Sequence, residues 1–111
     1  MDERSAEVGD LAILSEQTGD LAVITVSGDL GITTAHTLEQ ELQRAEATGV
    51  AEILLDLRSL DFIDTTGVRV LIAASRRSRD GGERLRIIRG SAPIQRVFAS
   101  HGQAELLPFV D

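Results

Sequence analysis

The sequence predicts a single α/β domain. Its sheet is mixed and four- to five-stranded, made from an N-terminal hairpin and parallel crossovers and covered by three to four helices. Three observations lead there. Residues 11–16 and 21–27 are apolar, β-rich runs separated by the turn sequence Gln17-Thr18-Gly19-Asp20, which reads as a hairpin. Downstream, strand-like and helix-like runs alternate, each helical run closed by glycine. Ile53-Leu54-Leu55 is a continuous apolar run between two helical segments, the pattern of a central strand buried on both faces.

The elements follow in order. Residues 1–10, MDERSAEVGD, read as a flexible acidic N-terminal tail, so the domain is expected over residues 11–111. After the hairpin, Gly28-Asp29-Leu30-Gly31 breaks the strand pattern, and Thr33 or Thr34 is suited to cap the first helix. In that helix Ala35, Leu38, Leu42 and Ala45 recur at helical spacing, while Glu39, Gln40, Glu41, Gln43 and Glu46 take the other faces. A strand is predicted over residues 52–57, a loop over 58–64, and a second helix over 66–79 with Val68, Leu71, Ile72 and Ser75 on one face. Asp80-Gly81-Gly82 stops it, and residues 85–88 form the next strand. Ser91, with Pro93 in the first turn, opens a third helix whose apolar face is Ile94, Val97 and Phe98. Gly102 closes it, and residues 106–110 read as a short extended tail.

Composition excludes several function classes. The 111 residues suit one core, with 42% hydrophobic and 26% charged side chains. The chain has no Cys, so disulfide scaffolds, thiolate nucleophiles and Cys-based zinc sites are excluded. It has no Lys either, which removes the P-loop and Schiff-base chemistry. No apolar run approaches membrane-spanning length and the N-terminus is polar, so no membrane partner and a cytoplasmic location are expected. The formal net charge of −7 disfavours nucleic acid as a partner. Charge is uneven: residues 1–56 carry −10 and residues 57–111 carry +3. The Arg-rich stretch from Arg76 to Arg89 is either a binding patch or a solvated helix end and strand edge.

Catalytic machinery is not evident, so the chain is not expected to be an enzyme, and no cofactor or metal is expected. His36 and His101 stand in different elements and read as surface or helix-cap residues. Asp61 and Asp64 lack the further oxygen ligands of a calcium site. Asp64-Thr65-Thr66-Gly67 lacks the second carboxylate loop that an aspartic protease needs.

One segment does concentrate chemistry. Residues 57–67 run from the buried strand into a helix and place two hydroxyls and a glycine at a helix N-terminus. Free N–H groups and the positive dipole end favour anions there, so a phosphate on Thr65 or Thr66 is compatible with its own helix. On spacing alone, capping by Asp64 or Thr65 accounts for the same residues.

Leu54-Leu55-Asp56-Leu57 through Phe62-Ile63-Asp64-Thr65-Thr66-Gly67-Val68 resembles the signature of STAS domains and, more narrowly, of bacterial anti-sigma factor antagonists. Val26-Ser27-Gly28-Asp29-Leu30, Gly81-Gly82 and Ser91-Ala92-Pro93-Ile94-Gln95-Arg96-Val97-Phe98 agree with that family. The resemblance implies a STAS-like fold and a protein that works by partner switching. Its unphosphorylated form binds an anti-sigma factor, itself a Ser/Thr kinase, and thereby controls sigma factor availability and transcription. Phosphorylation at the hydroxyl after the Asp, here Thr65 (alternative Thr66), releases it, and a PP2C-type phosphatase restores it. Partner contacts are then expected on Asp29, Asp64, Thr65, Thr66, Gly67 and Arg69, the domain being a monomer. Three positions depart from the family pattern: Gly31 where an Asp is frequent, Thr65 in place of Ser, and Arg69 in place of a small Gly. Arg69 lies four residues after Thr65, within reach of a phosphate one turn back. The alternative is a STAS accessory or scaffold subunit of a signalling or lipid-transport complex, with hydroxyls that are never modified.

Overall fold

A computed structural model describes residues 2–102 and 104–110. The elements are β1 (Asp2–Val8), β2 (Leu11–Thr18), β3 (Leu21–Leu30), α1 (Ala35–Ala47), β4 (Glu52–Ile63), α2 (Thr65–Asp80), β5 (Leu85–Ile88), α3 (Ala92–Ser100), a 3₁₀ turn (Ala104–Leu106) and β6 (Phe109–Val110). The six strands lie side by side in chain order, β1 to β6. The first three pair antiparallel; β3–β4, β4–β5 and β5–β6 pair parallel, each through a helical crossover.

The predicted α/β class holds, with more sheet than expected. The described part of the acidic tail is strand β1, not a flexible tail: it pairs with β2 from Asp2↔Gln17 to Val8↔Leu11. Its charges Asp2, Glu3, Arg4 and Glu7 suit an edge strand, where charge discourages pairing with other chains. Gly9 and Asp10 make the two-residue turn, with Gly9 at φ 53°, and Gly19 and Asp20 repeat the arrangement at φ 59°. Residues 58–63, predicted as loop, continue β4. Their backbone is paired to the extended end of β3 through Ser27↔Ser59, Gly28↔Leu60, Asp29↔Phe62 and Leu30↔Ile63, with register shifts between Thr25 and Ser27 and between Gly28 and Asp29. Helix α2 begins at Thr65, one residue earlier than predicted. The C-terminal run folds as a 3₁₀ turn and edge strand β6, where Phe109 meets Phe98 edge-on at 5.3 Å between centroids.

Burial explains the layers. Leu11, Ile13, Ala22, Ile24, Val26, Ile53, Leu55, Leu57, Leu85 and Ile87 alternate along the strands and join Leu38, Leu42, Val68, Leu71, Ile94 and Phe98 of the helices in one core. The opposite sheet face is only partly covered. Leu54, expected to be buried like its neighbours, lies there half-exposed with Leu14, Val23 and Ile88. No helix among the described residues is long and apolar enough to cross a membrane.

Much of the Arg-rich stretch is structural. Arg77 joins α2 to α1, its Nε and Nη2 donating to Glu46 at 2.8 and 3.0 Å and its Nη2 to Glu39 at 2.6 Å. Arg84 donates to the carbonyls of Val50 and Glu46, Arg79 to that of Leu106, and Arg86 pairs with Glu52. Arg89 stacks over the Phe109 ring at 4.9 Å.

On the partly covered face, Asp56 is 8% exposed and accepts from Arg58 through its amide and its guanidinium at 2.8 to 3.2 Å. The Arg58 side-chain hydrogen bonds hold the Asp56 carboxyl below its ordinary value, against burial, which pushes it up. A carboxyl lowered by folding stabilises the native state at neutral pH, and that contribution disappears as pH falls through its folded value. Arg58→Ala is therefore expected to raise the Asp56 midpoint in a carboxyl-carbon NMR titration and to start acid unfolding at a higher pH. An unmoved midpoint contradicts this account.

Candidate functional site

Parallel pairing of β3 with β4 brings two strand ends together. Asp29↔Phe62 and Leu30↔Ile63 set the β3–α1 loop beside the β4–α2 junction, at the carboxyl end of the sheet, where α/β folds commonly carry sites.

Asp64 fastens these two segments. Its Oδ1 accepts from the Gly67 amide at 3.1 Å, which makes it the N-cap of α2. Its Oδ2 accepts from the Ile32 amide at 3.0 Å, across to the β3–α1 loop. The Asp64 amide donates to the Leu30 carbonyl at 3.2 Å, and its carbonyl accepts from Val68. The capping alternative thus falls to Asp64 and leaves the Thr65 hydroxyl for other work.

Glycines permit this closeness. A Cβ on Gly31 would lie 2.8 Å from Asp64 Oδ2, so this Gly leaves room for the Asp64 carboxylate. A Cβ on Gly67 would lie 2.8 Å from both the Leu30 carbonyl oxygen and Ile63 Cγ1, so the first turn of α2 rests directly on the strand ends. Thr34 stands before α1 and is buried. Its hydroxyl accepts from the Gly31 amide at 2.9 Å and donates to the Asp29 carbonyl at 2.8 Å, which closes the neighbouring loop.

The other predicted site residues fall around this clasp. Thr65 is exposed on the first turn of α2, Thr66 beside it is half-buried and Gly67 is buried. Asp29 is half-buried at the end of β3, its amide donating to the Asp10 carbonyl at 2.9 Å. Arg69 is exposed and, with Thr65, Arg76 and His101, lines a groove of about 340 Å³.

Three residues were not legible as part of the site. Ile32 is 78% exposed and Phe62 51%, and both lie on the segments that Asp64 joins. Exposed side chains of that size beside a polar group are what a docking surface offers. His101, read as a surface or cap residue, does cap α3, but its Nε2 also lies 3.0 Å from Thr65 Oγ1. Its Nδ1 lies 2.8 Å from the Val97 carbonyl. The pair is 36 residues apart in sequence, so no local spacing could reveal it.

Comparison with known proteins adds the family. The STAS domain model matches residues 12–111. Among solved structures, an anti-sigma factor antagonist from Mycobacterium paratuberculosis is similar at a TM-score of 0.79 and 24% identity, covering 89% of this chain and 84% of its own. The anti-sigma factor antagonist SpoIIAA in its unphosphorylated form gives 0.73 and 20%, covering 89% and 88%. The Bacillus cell fate determinant SpoIIAA in its phosphorylated form gives 0.67 and 20%, covering 89% and 91%. At these identities the likeness is one of fold.

Proposed function

Because the chain belongs to the STAS domain family, we propose that it is an anti-sigma factor antagonist switched by phosphorylation at Thr65. It binds its anti-sigma factor unmodified, is released when that partner's Ser/Thr kinase activity phosphorylates it, and is restored by a PP2C-type phosphatase. The observation that carries this reading is the position of the Thr65 hydroxyl. It is exposed on the first turn of α2, next to a carboxylate that already caps the helix, on the segments that also expose Ile32 and Phe62. The similarity in fold to antagonists, one of them solved in both unphosphorylated and phosphorylated forms, supports it.

The arrangement suits a charge switch. A partner seated over Ile32 and Phe62 covers Thr65 as well. A phosphate brings about −1.5 to −2 charges, which docking must then desolvate or oppose. The helix N-terminus tolerates that charge, so release does not need unfolding. Asp64 acts by holding the two segments in one surface, Gly67 by letting α2 approach, Thr66 by adjoining the hydroxyl in the same turn, and Asp29 by ending β3 opposite Phe62. Arg69, one turn along, is placed to meet the phosphate.

The test is to incubate the protein with the candidate anti-sigma Ser/Thr kinases of its source organism and ATP, then to read intact mass and map the site. One added phosphate, lost in Thr65→Ala and retained in Thr66→Ala, is the expected result. No added phosphate with any of these kinases favours the unmodified accessory or scaffold role.

A further inference from the structure

The contact between Thr65 and His101 has a direction that hydrogen-bond chemistry fixes. His101 Nδ1 lies 2.8 Å from the Val97 carbonyl oxygen, which can only accept, so Nδ1 carries a proton. In a neutral imidazole the other nitrogen is then a bare acceptor. Nε2 lies 3.0 Å from Thr65 Oγ1, so the hydroxyl donates to it. The Thr65 proton is thereby pointed at the ring, and the oxygen lone pairs are left for an incoming electrophile. Arg69 and Arg76 line the same groove as this pair.

We propose, resting on the reading of Thr65 as the modified residue, that His101 takes the Thr65 proton during phosphoryl transfer and afterwards holds the phosphate as an imidazolium. In the step, Thr65 Oγ1 bonds to the γ-phosphorus of a nucleoside triphosphate carried by the kinase. The bond from that phosphorus to the β–γ bridging oxygen breaks, its electron pair leaving with the nucleoside diphosphate. The proton passes from Oγ1 to Nε2. Nδ1 keeps its proton on the Val97 carbonyl, so the ring gains a positive charge as the phosphate arrives, and Nε2–H becomes a charge-assisted donor to it. Among the described residues, the other charged groups lining the groove are Arg69 and Arg76, and Asp64 stands one residue before Thr65. Both Asp64 oxygens already accept backbone amides. Val97 and His101 flank the C-terminal end of α3, so the same helix end fixes the ring and its tautomer.

The experiment separates this inference from the reading beneath it by installing phosphothreonine at position 65 during translation, without a kinase. The second ionisation of the phosphate, ordinarily near ~6, is followed by ³¹P NMR in the parent protein, His101→Gln and Arg69→Gln. The glutamine of His101→Gln keeps an acceptor but cannot carry the charge. The expected midpoint in the parent lies about one unit below that in His101→Gln, with Arg69→Gln showing a smaller rise. Equal midpoints in the parent and His101→Gln overturn the proposal, provided thermal melting shows both folded. With the kinase at saturating concentration, His101→Gln is expected to be phosphorylated about 10²-fold more slowly than the parent. An unchanged rate overturns the proton-accepting step. If no kinase modifies the parent but the ³¹P difference is present, the phosphate-holding role of His101 stands, while the switch reading and the proton-accepting step fail.

Discussion

Under the proposed switch, Thr65→Asp is expected to weaken binding to the anti-sigma partner by about 5- to 150-fold, the range that 1–3 kcal/mol of lost contact produces. Residue 65 is exposed on the first turn of α2, and its own side chain is not the cap, because Asp64 already accepts the Gly67 amide. A carboxylate there meets the positive end of the helix and leaves stability level or slightly higher. The fold therefore survives and the loss falls on docking, where an added charge on the covered surface must be stripped of water or opposed. One carboxylate carries less charge than a phosphate, so the variant should lie toward the lower part of the range and the phosphorylated protein toward the upper. Thr65→Val, which removes the hydroxyl and its contact with His101 but adds no charge, should weaken binding much less than Thr65→Asp. Titration calorimetry against the anti-sigma factor measures all three. Equal affinity for Thr65→Asp and the parent is the result that defeats the switch.

Gly28→Ala is expected to be the most damaging single-methyl change to the fold, costing about 3 kcal/mol or more. Gly28 sits in β3 at φ 90°, a conformation that side chains resist, and its hypothetical Cβ falls 1.8 Å from the Asp10 carbonyl oxygen. That oxygen is backbone and also accepts the Asp29 amide, so no rotamer change relieves the clash. The strand must move instead, and it carries the register shift that sets Asp29 and Leu30 opposite Phe62 and Ile63. For a domain of this size, 3 kcal/mol corresponds to a fall in Tm of roughly 12 °C or more. A fall of less than about 4 °C in thermal denaturation would show that β3 accommodates the methyl group. The effect should reach the site as well, because the same strand end supplies the Leu30 carbonyl on which the Asp64 amide rests.

How far the sequence reveals this molecule depends on how local each signal is. The hairpin, the three amphipathic helices and the Asp64-Thr65-Thr66-Gly67 junction were legible because their information lies within one turn or one strand. β1 was not, because an edge strand with solvent on most sides lacks apolar alternation, and Asp2, Glu3, Arg4 and Glu7 look like a tail. The Gly9-Asp10 pair, matching Gly19-Asp20, was the available clue. The second half of β4 was hidden for a related reason. Arg58, Ser59, Asp61 and Phe62 are exposed, so only pairing with an equally long β3 makes them strand. Leu54 was over-read, since a continuous apolar run resembles two-sided burial even when one sheet face is only partly covered. Within the site, the Asp64 cap was readable from spacing, but its grip on the Ile32 amide and the meeting of Thr65 with His101 depend on tertiary structure alone.

The double grip of the Asp64 carboxylate has a thermodynamic consequence. Two segments cross-linked through one rigid side chain present a platform whose shape is set before any encounter, so association need not freeze floppy loops. In the proposed complex its entropy cost then comes mainly from the partners' lost tumbling and from side chains such as Ile32 and Phe62, and the heat-capacity change should match the interface area buried, with no added contribution from loop folding.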